Sequence, residues 1–225
     1  MTEYDCEGLR TPGIVCEADP RSLKRDILTR EPLTIAYEHE AIAEVTLHNG
    51  VPRNIWAQFE TARNLYLYAW FVYRFYPVAE HQAYACLELA LRERYVAEVT
   101  AISKRKAKKT LNSLKSLLEY AAQQGHLKNE GFSLWHQSTV ERAKQRTQDE
   151  LWSKTLMEGR TQMIYDEEDY QIIDVDRNHD YLQNILAAIP ELRNDYAHGS
   201  NTLHSQVLYS LTLVSEIINQ IYDNK

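Results

Sequence analysis

An arginine and a histidine lie five positions apart late in the chain, at Arg193 and His198, with Asn194, Asp195 and Tyr196 between them. A guanidinium can hold a phosphate and offset negative charge that grows during a reaction. An imidazole has an unperturbed pKa of about 6.5, so it can take or give a proton near neutrality. Together they suggest proton transfer beside a bound phosphate, with Asn194 orienting either group. The spacing adds a condition: residues five apart on a continuous α-helix point about 140° away from each other. Arg193 and His198 converge only if the helix ends or distorts between them, and Gly199 is a residue type that commonly ends helices. The plain alternative is an Arg193 paired with Glu191 or Asp195, and a His198 that merely precedes a helix stop.

The flanking elements must position this stretch. Pro190 precedes it, and Leu182, Ile185 and Ile189 mark the inward face of a helix that Asp180 can cap. After it, Leu203, Val207, Leu211, Val214, Ile218 and Ile221 recur at alternating steps of four and three, a strong core helix to the end of the chain. Further back, Ile55, Phe59, Ala62, Tyr66, Ala69, Tyr73 and Tyr76 form the face of a long helix from Pro52 to Pro77. Leu65, Leu67, Trp70 and Phe71 widen its apolar surface, as expected of a central buried helix. A second helix, opened by Pro77, carries Ala79, Ala83, Cys86 and Ala90 along one stripe. Glu88 and Arg92 lie on it four apart, the spacing of a surface ion pair. Cys86 reads as a small core residue rather than a nucleophile.

Between these helices the chain is more polar. Lys104, Arg105, Lys106, Lys108 and Lys109 put five cations within six positions. This is either a solvated segment or a patch that tracks nucleic-acid phosphates. A third helix with Leu111, Leu114, Leu118 and Ala121 stops at Gly125. A charged fourth helix begins at Ser138 or Thr139 and runs to about Met157; its weak apolar stripe marks it as peripheral or facing a partner. Residues 159–177 read as a loop. Asp174, Asp176 and Asn178 imitate a calcium loop, but His179 replaces the required Gly and Ile185 the required Glu. No zinc-ligand pattern is present either, so neither metal nor cofactor is expected. Residues 1–33 read as irregular, with turns at Pro12-Gly13 and Asp19-Pro20 and a short helix over residues 22–28. Ile35 to Leu47 is a further helix candidate.

Composition bounds the rest. The chain has 225 residues, is 44% hydrophobic and has 7 Gly and 6 Pro, which suits a sizeable core built from long helices. A formal charge of −7 argues against nucleic-acid binding over the whole surface but not at a local site. Three unpatterned cysteines fit a reducing compartment without disulfides. The acidic N-terminus is no signal peptide, and no apolar run is long enough to span a bilayer. The expectation is a cytoplasmic all-α protein, an up-and-down bundle of five or more helices. Residues 1–51 form an N-terminal arm and residues 52–225 the bundle.

Arg193, Asn194 and His198 fit the signature of the HEPN superfamily: Arg, a polar residue, then His after four to six positions. The late position of the motif, Pro190 before it and the apolar final helix resemble that family over roughly residues 52–225. The resemblance implies a helical bundle, and in many members a metal-independent endoribonuclease of defence or toxin systems. Cleavage of RNA through its own 2′-hydroxyl needs a base for that hydroxyl and an acid for the leaving oxygen. One imidazole can hardly serve as both at once, so a homodimer joining two copies of His198 is expected, as in the family. In that family a polar residue on the second bundle helix can face the site, and Glu88 takes that place here. Other members bind nucleotides, RNA or partner proteins such as an antitoxin without catalysis, and the overall acidity suits that alternative. A toxin subset carries Tyr two positions after the His; Ser200 stands there in this chain.

Overall fold

The computed structural model describes residues 7–25, 29–102, 113–163, 165–166, 168–197 and 203–223. Among the described residues there are seven α-helices and no strand: α1 (Ile35–Ala43), α2 (Arg53–Tyr68), α3 (Phe75–Ile102), α4 (Leu114–Gln123), α5 (Ser133–Met157), α6 (Tyr181–Ala197) and α7 (Val207–Tyr222). The protein is an all-α bundle. None of the described helices is long and apolar enough to cross a membrane.

The centre is α3. It packs against α2, α4, α6 and α7, and Tyr84, Leu87, Leu91 and Tyr95 are fully buried along it. Facing it, α2 contributes Ile55, Phe59 and Ala62, and α7 contributes Leu211, Val214, Ile217 and Ile218, all without exposed surface. These spacings of three, four and seven are what a helix needs to keep one face in a core. At its C-terminal end α7 is tied to α3 by Tyr222, whose hydroxyl donates to the Ala90 carbonyl at 3.1 Å. Cys86 is buried in the same interface. Its thiol donates to the Ile55 carbonyl, and burial pushes its pKa up to about 12. That is the state of a core residue, not of a nucleophile.

The apolar pattern over residues 55–76 does not make one helix. Instead α2 ends at Tyr68, residues 69–74 turn, and α3 opens at Phe75 with Pro77 inside its first turn. The turn is invisible to periodicity because Ala69 and Tyr76 remain in the core on either side of it. Its backbone groups are taken by the N-terminal arm. The Asp19 N–H donates to the Trp70 carbonyl at 2.9 Å, the Ser22 hydroxyl to the Ala69 carbonyl at 3.3 Å, and Arg10 to the Phe71 carbonyl. A turn whose carbonyls find donors on another segment loses nothing by leaving the helix. It follows that α2 buries one face only, with Tyr68 more than half exposed, and the central role expected of it falls to α3.

The arm is part of the fold. Asp19 is fully buried and Ser22 nearly so, and Ile42, Val45, Leu47 and Val51 belong to the same core as α2. Where a helix was expected over residues 22–28, Pro20–Ser22 forms a single 3-10 turn and Arg25 pairs with Pro32 in an extended bridge; residues 26–28 lie outside the described set. Arg63 also acts structurally, donating to the Ile42 carbonyl at 3.0 Å and so satisfying the last turn of α1.

Helix ends follow local chemistry. Gly125, at φ +73°, closes α4: the His126 N–H reaches the Ala121 carbonyl and the Gly125 N–H the Ala122 carbonyl. The charged helix α5 starts at Ser133, earlier than the Ser138 or Thr139 cap expected. Thr139 lies inside it and donates to the Trp135 carbonyl at 2.8 Å instead of capping. Trp135, Thr139 and Ala143 are buried in its first half; in its second half Thr155 is buried, but Trp152, Leu156 and Met157 are exposed.

Candidate functional site

Arg193 sits on the last turns of α6. That helix is anchored by Ile185, Leu186 and Ile189, which are buried. Pro190 follows directly and is accommodated inside the helix, which continues to Ala197. Past Ile189 the helix emerges from the core: Glu191, Leu192 and Asn194 are exposed, and Arg193 is half-buried. The apolar half of α6 thus fixes the position at which Arg193 leaves the bundle.

The partner of Arg193 is Glu88, 105 positions earlier on α3. Arg193 Nη2 donates to Glu88 Oε2 at 3.0 Å. The other carboxylate oxygen, Oε1, accepts from Arg92 Nη2 at 2.6 Å and from Arg92 Nε at 3.1 Å. The ion pair of Arg193 is thus made across the bundle to Glu88, not to Glu191 two positions before it. Asn194 receives a long contact from Arg193 Nη1, 3.5 Å to its Oδ1. Burial alone would raise the Glu88 carboxyl, but the hydrogen bonds and charges of Arg92 and Arg193 outweigh it and hold the group below its ordinary value. It is therefore a carboxylate at neutral pH.

Two guanidiniums on one carboxylate leave a local charge of about +1 at a rim position. Arg193 keeps 35% of its side chain exposed, which leaves donors available to a phosphate approaching from solvent. Glu88 restrains one corner of that guanidinium before any ligand arrives, so less side-chain freedom is lost on binding.

Of the residues singled out in the sequence, the structure brings together Glu88, Arg193 and Asn194. His198 lies outside the described residues, as do Lys104, Arg105, Lys106, Lys108 and Lys109. Among the described residues no three His, Cys, Asp or Glu side chains gather as a metal site.

A second polar cluster escaped the sequence reading. Glu80, two turns before Glu88 on α3, is 2% exposed. Its Oε1 accepts from the Ser210 hydroxyl at 2.5 Å and from the Tyr84 hydroxyl at 3.4 Å. Its Oε2 lies 3.5 Å from His204 Nε2. The available signal was a carboxylate in register with the core positions Tyr84, Leu87 and Leu91. A charge in that register is buried only if donors meet it.

A groove of about 720 Å³ lies elsewhere, between α5 and the Asp174–Arg177 turn. Its arginines already have work in the fold: Arg146 binds both oxygens of Asp176, and Arg142 donates to the Asp176 carbonyl at 3.2 Å. None of Glu88, Arg193 and Asn194 lines it.

Compared with known proteins, the chain matches no family model, no curated protein and no solved structure.

Proposed function

We propose that this protein is a metal-independent endoribonuclease of HEPN type, acting as a homodimer and cleaving RNA through its own 2′-hydroxyl. The observation that carries the reading is the Arg193 guanidinium, held by Glu88 at the rim where α6 leaves the core and five positions before His198. Arg193 holds the scissile phosphate and offsets the charge that builds on it. His198 of one protomer takes the proton of the 2′-hydroxyl, and His198 of the other gives a proton to the leaving 5′-oxygen. Products then end in a 2′,3′-cyclic phosphate. Asn194 orients the phosphate.

The test is cleavage of single-stranded RNA by purified protein. His198→Ala should abolish it with the fold intact, and cleavage should persist in EDTA, because imidazole and guanidinium supply the whole chemistry. Wild-type rates in His198→Ala would sink the assignment, and so would a strictly monomeric protein by light scattering at every concentration. A non-catalytic nucleotide- or RNA-binding module is the second reading. It is favoured by the Glu88 carboxylate, which already balances one of the two guanidiniums on the site. Binding without cleavage would select it. In either case, neutralising Lys104, Arg105, Lys106, Lys108 and Lys109 should weaken RNA binding and lower its salt slope by up to about 4 if the run contacts phosphates. An unchanged slope would make the run a solvated segment.

A further inference from the structure

The chain that follows the motif is caught from two sides before α7 begins. From α3, Glu80 meets His204, with Ser210 on its other oxygen. From the N-terminal arm, Lys24 Nζ donates to the Ser205 hydroxyl oxygen at 2.7 Å, a contact spanning 181 positions. Residues 203–206 precede the first turn of α7, and no side chain caps that helix at Gln206. The side-chain contacts of His204 and Ser205 tie this segment to α3 and to the arm.

Lys24 is well placed for that role because its own backbone is fixed. The Leu33 N–H donates to the Lys24 carbonyl at 2.9 Å, next to the Arg25–Pro32 bridge. Upstream, Asp19 locks the arm onto the turn between α2 and α3, accepting from Arg21 at 2.9 Å and from the Tyr73 N–H at 3.3 Å. A lysine loses considerable rotamer freedom when its ammonium is fixed, and an anchored backbone limits the remaining cost to the side chain. Its acceptor is a neutral hydroxyl close to a helix N-terminus, where a cation is opposed by the helix dipole. Such a contact is releasable, unlike the buried anchor at Asp19.

We propose that the N-terminal arm is a cis-acting brace on residues 203–206, with Lys24 as its contact and Ser205 as the receiving group, so that displacing the arm loosens the chain between the Arg193 motif and α7. The brace stands independently of the ribonuclease reading; only its effect on cleavage rests on that reading.

Amide hydrogen exchange on the full chain tests it. Lys24→Met should speed exchange in peptides covering residues 203–213, which include the first hydrogen-bonded amides of α7, by about fivefold or more, and leave α2 and α3 unchanged. Lys24→Arg should return exchange to within about twofold of wild type, since it restores the charged donor. Ser205→Ala should reproduce the Lys24→Met effect from the other side. Exchange unchanged in Lys24→Met would overturn the brace, and so would equal acceleration throughout α2 and α3, which reports general destabilisation. RNA cleavage measured in parallel separates the two ideas. Cleaving wild type with unchanged exchange in Lys24→Met removes the brace alone; faster local exchange in a protein that cleaves no RNA removes the ribonuclease alone.

Discussion

Two glutamates on α3, eight positions and about 12 Å apart along the helix axis, serve opposite purposes. Glu80 is buried between α3 and α7 and is met by hydroxyls, with one imidazole at its edge. Glu88 sits at the rim and is met by two guanidiniums. A buried carboxylate is tolerated only while its donors remain, and each donor is stranded if the carboxylate goes. A rim carboxylate is still reached by water, so its ion pairs add little to stability. The same residue type therefore holds the bundle together at one site, and at the other presents a cation to solvent in a fixed orientation.

The largest expected effect is on Glu80. Glu80→Ala leaves the buried Ser210 hydroxyl without the carboxylate it donates to and opens a cavity beside Tyr84, so urea unfolding should show a loss of about 3 kcal/mol. Glu88→Ala should cost less than about 1 kcal/mol. Comparable losses would break the distinction between the two sites, because Glu88 would then be a structural residue as well.

Arg193→Ala sharpens it. Unfolding free energy should stay within about 0.5 kcal/mol of wild type, since a half-exposed side chain is removed and Glu88 keeps Arg92. In the proposed reaction the same change should slow cleavage about 100-fold or more, the usual cost of removing a donor that stabilises developing charge. A stability loss as large as that of Glu80→Ala would show that Arg193 is there to hold α6 on α3.

The bundle was legible because its helices repeat apolar residues at steps of three and four, and residues 207–221 form a core helix on that evidence alone. What periodicity could not show was where a pattern in phase conceals a turn. Residues 69–74 stay in register with α2 and α3, and the reason for the break lies with Arg10, Asp19 and Ser22, some fifty positions away. The same holds for the site. Arg193 and Asn194 could be chosen from residue type and spacing, and Glu88 from the family resemblance. For the Glu80 cluster the register marks only the carboxylate, since Ser210, Tyr84 and His204 are ordinary residues until the fold brings them to it. Lys24 and Ser205 give no signal in sequence, because nothing local distinguishes a lysine that reaches another segment from one in water.

The smallest predicted effect concerns acid. Burial pulls the Glu88 carboxyl upward, but Arg92 and Arg193 together outweigh it and hold the group below its ordinary value of about 4.5. A carboxyl depressed in the folded state binds its proton less readily there than in the unfolded chain, so it adds stability above the unfolded value. That contribution is lost as pH falls through the folded value. Asp19 and Asp176 are also held low by arginines, Asp19 despite its burial, so acid weakens the wild type through several groups at once. The difference between wild type and Glu88→Gln isolates one of them. The two should differ by a constant amount at neutral pH, and the gap should shift steadily, against wild type, as pH is lowered below about 4.5. Urea midpoints measured at close pH steps would show it. A gap that stays constant through that range would mean that Glu88 is not held by its two arginines in solution, and the fixed orientation of Arg193 would go with it.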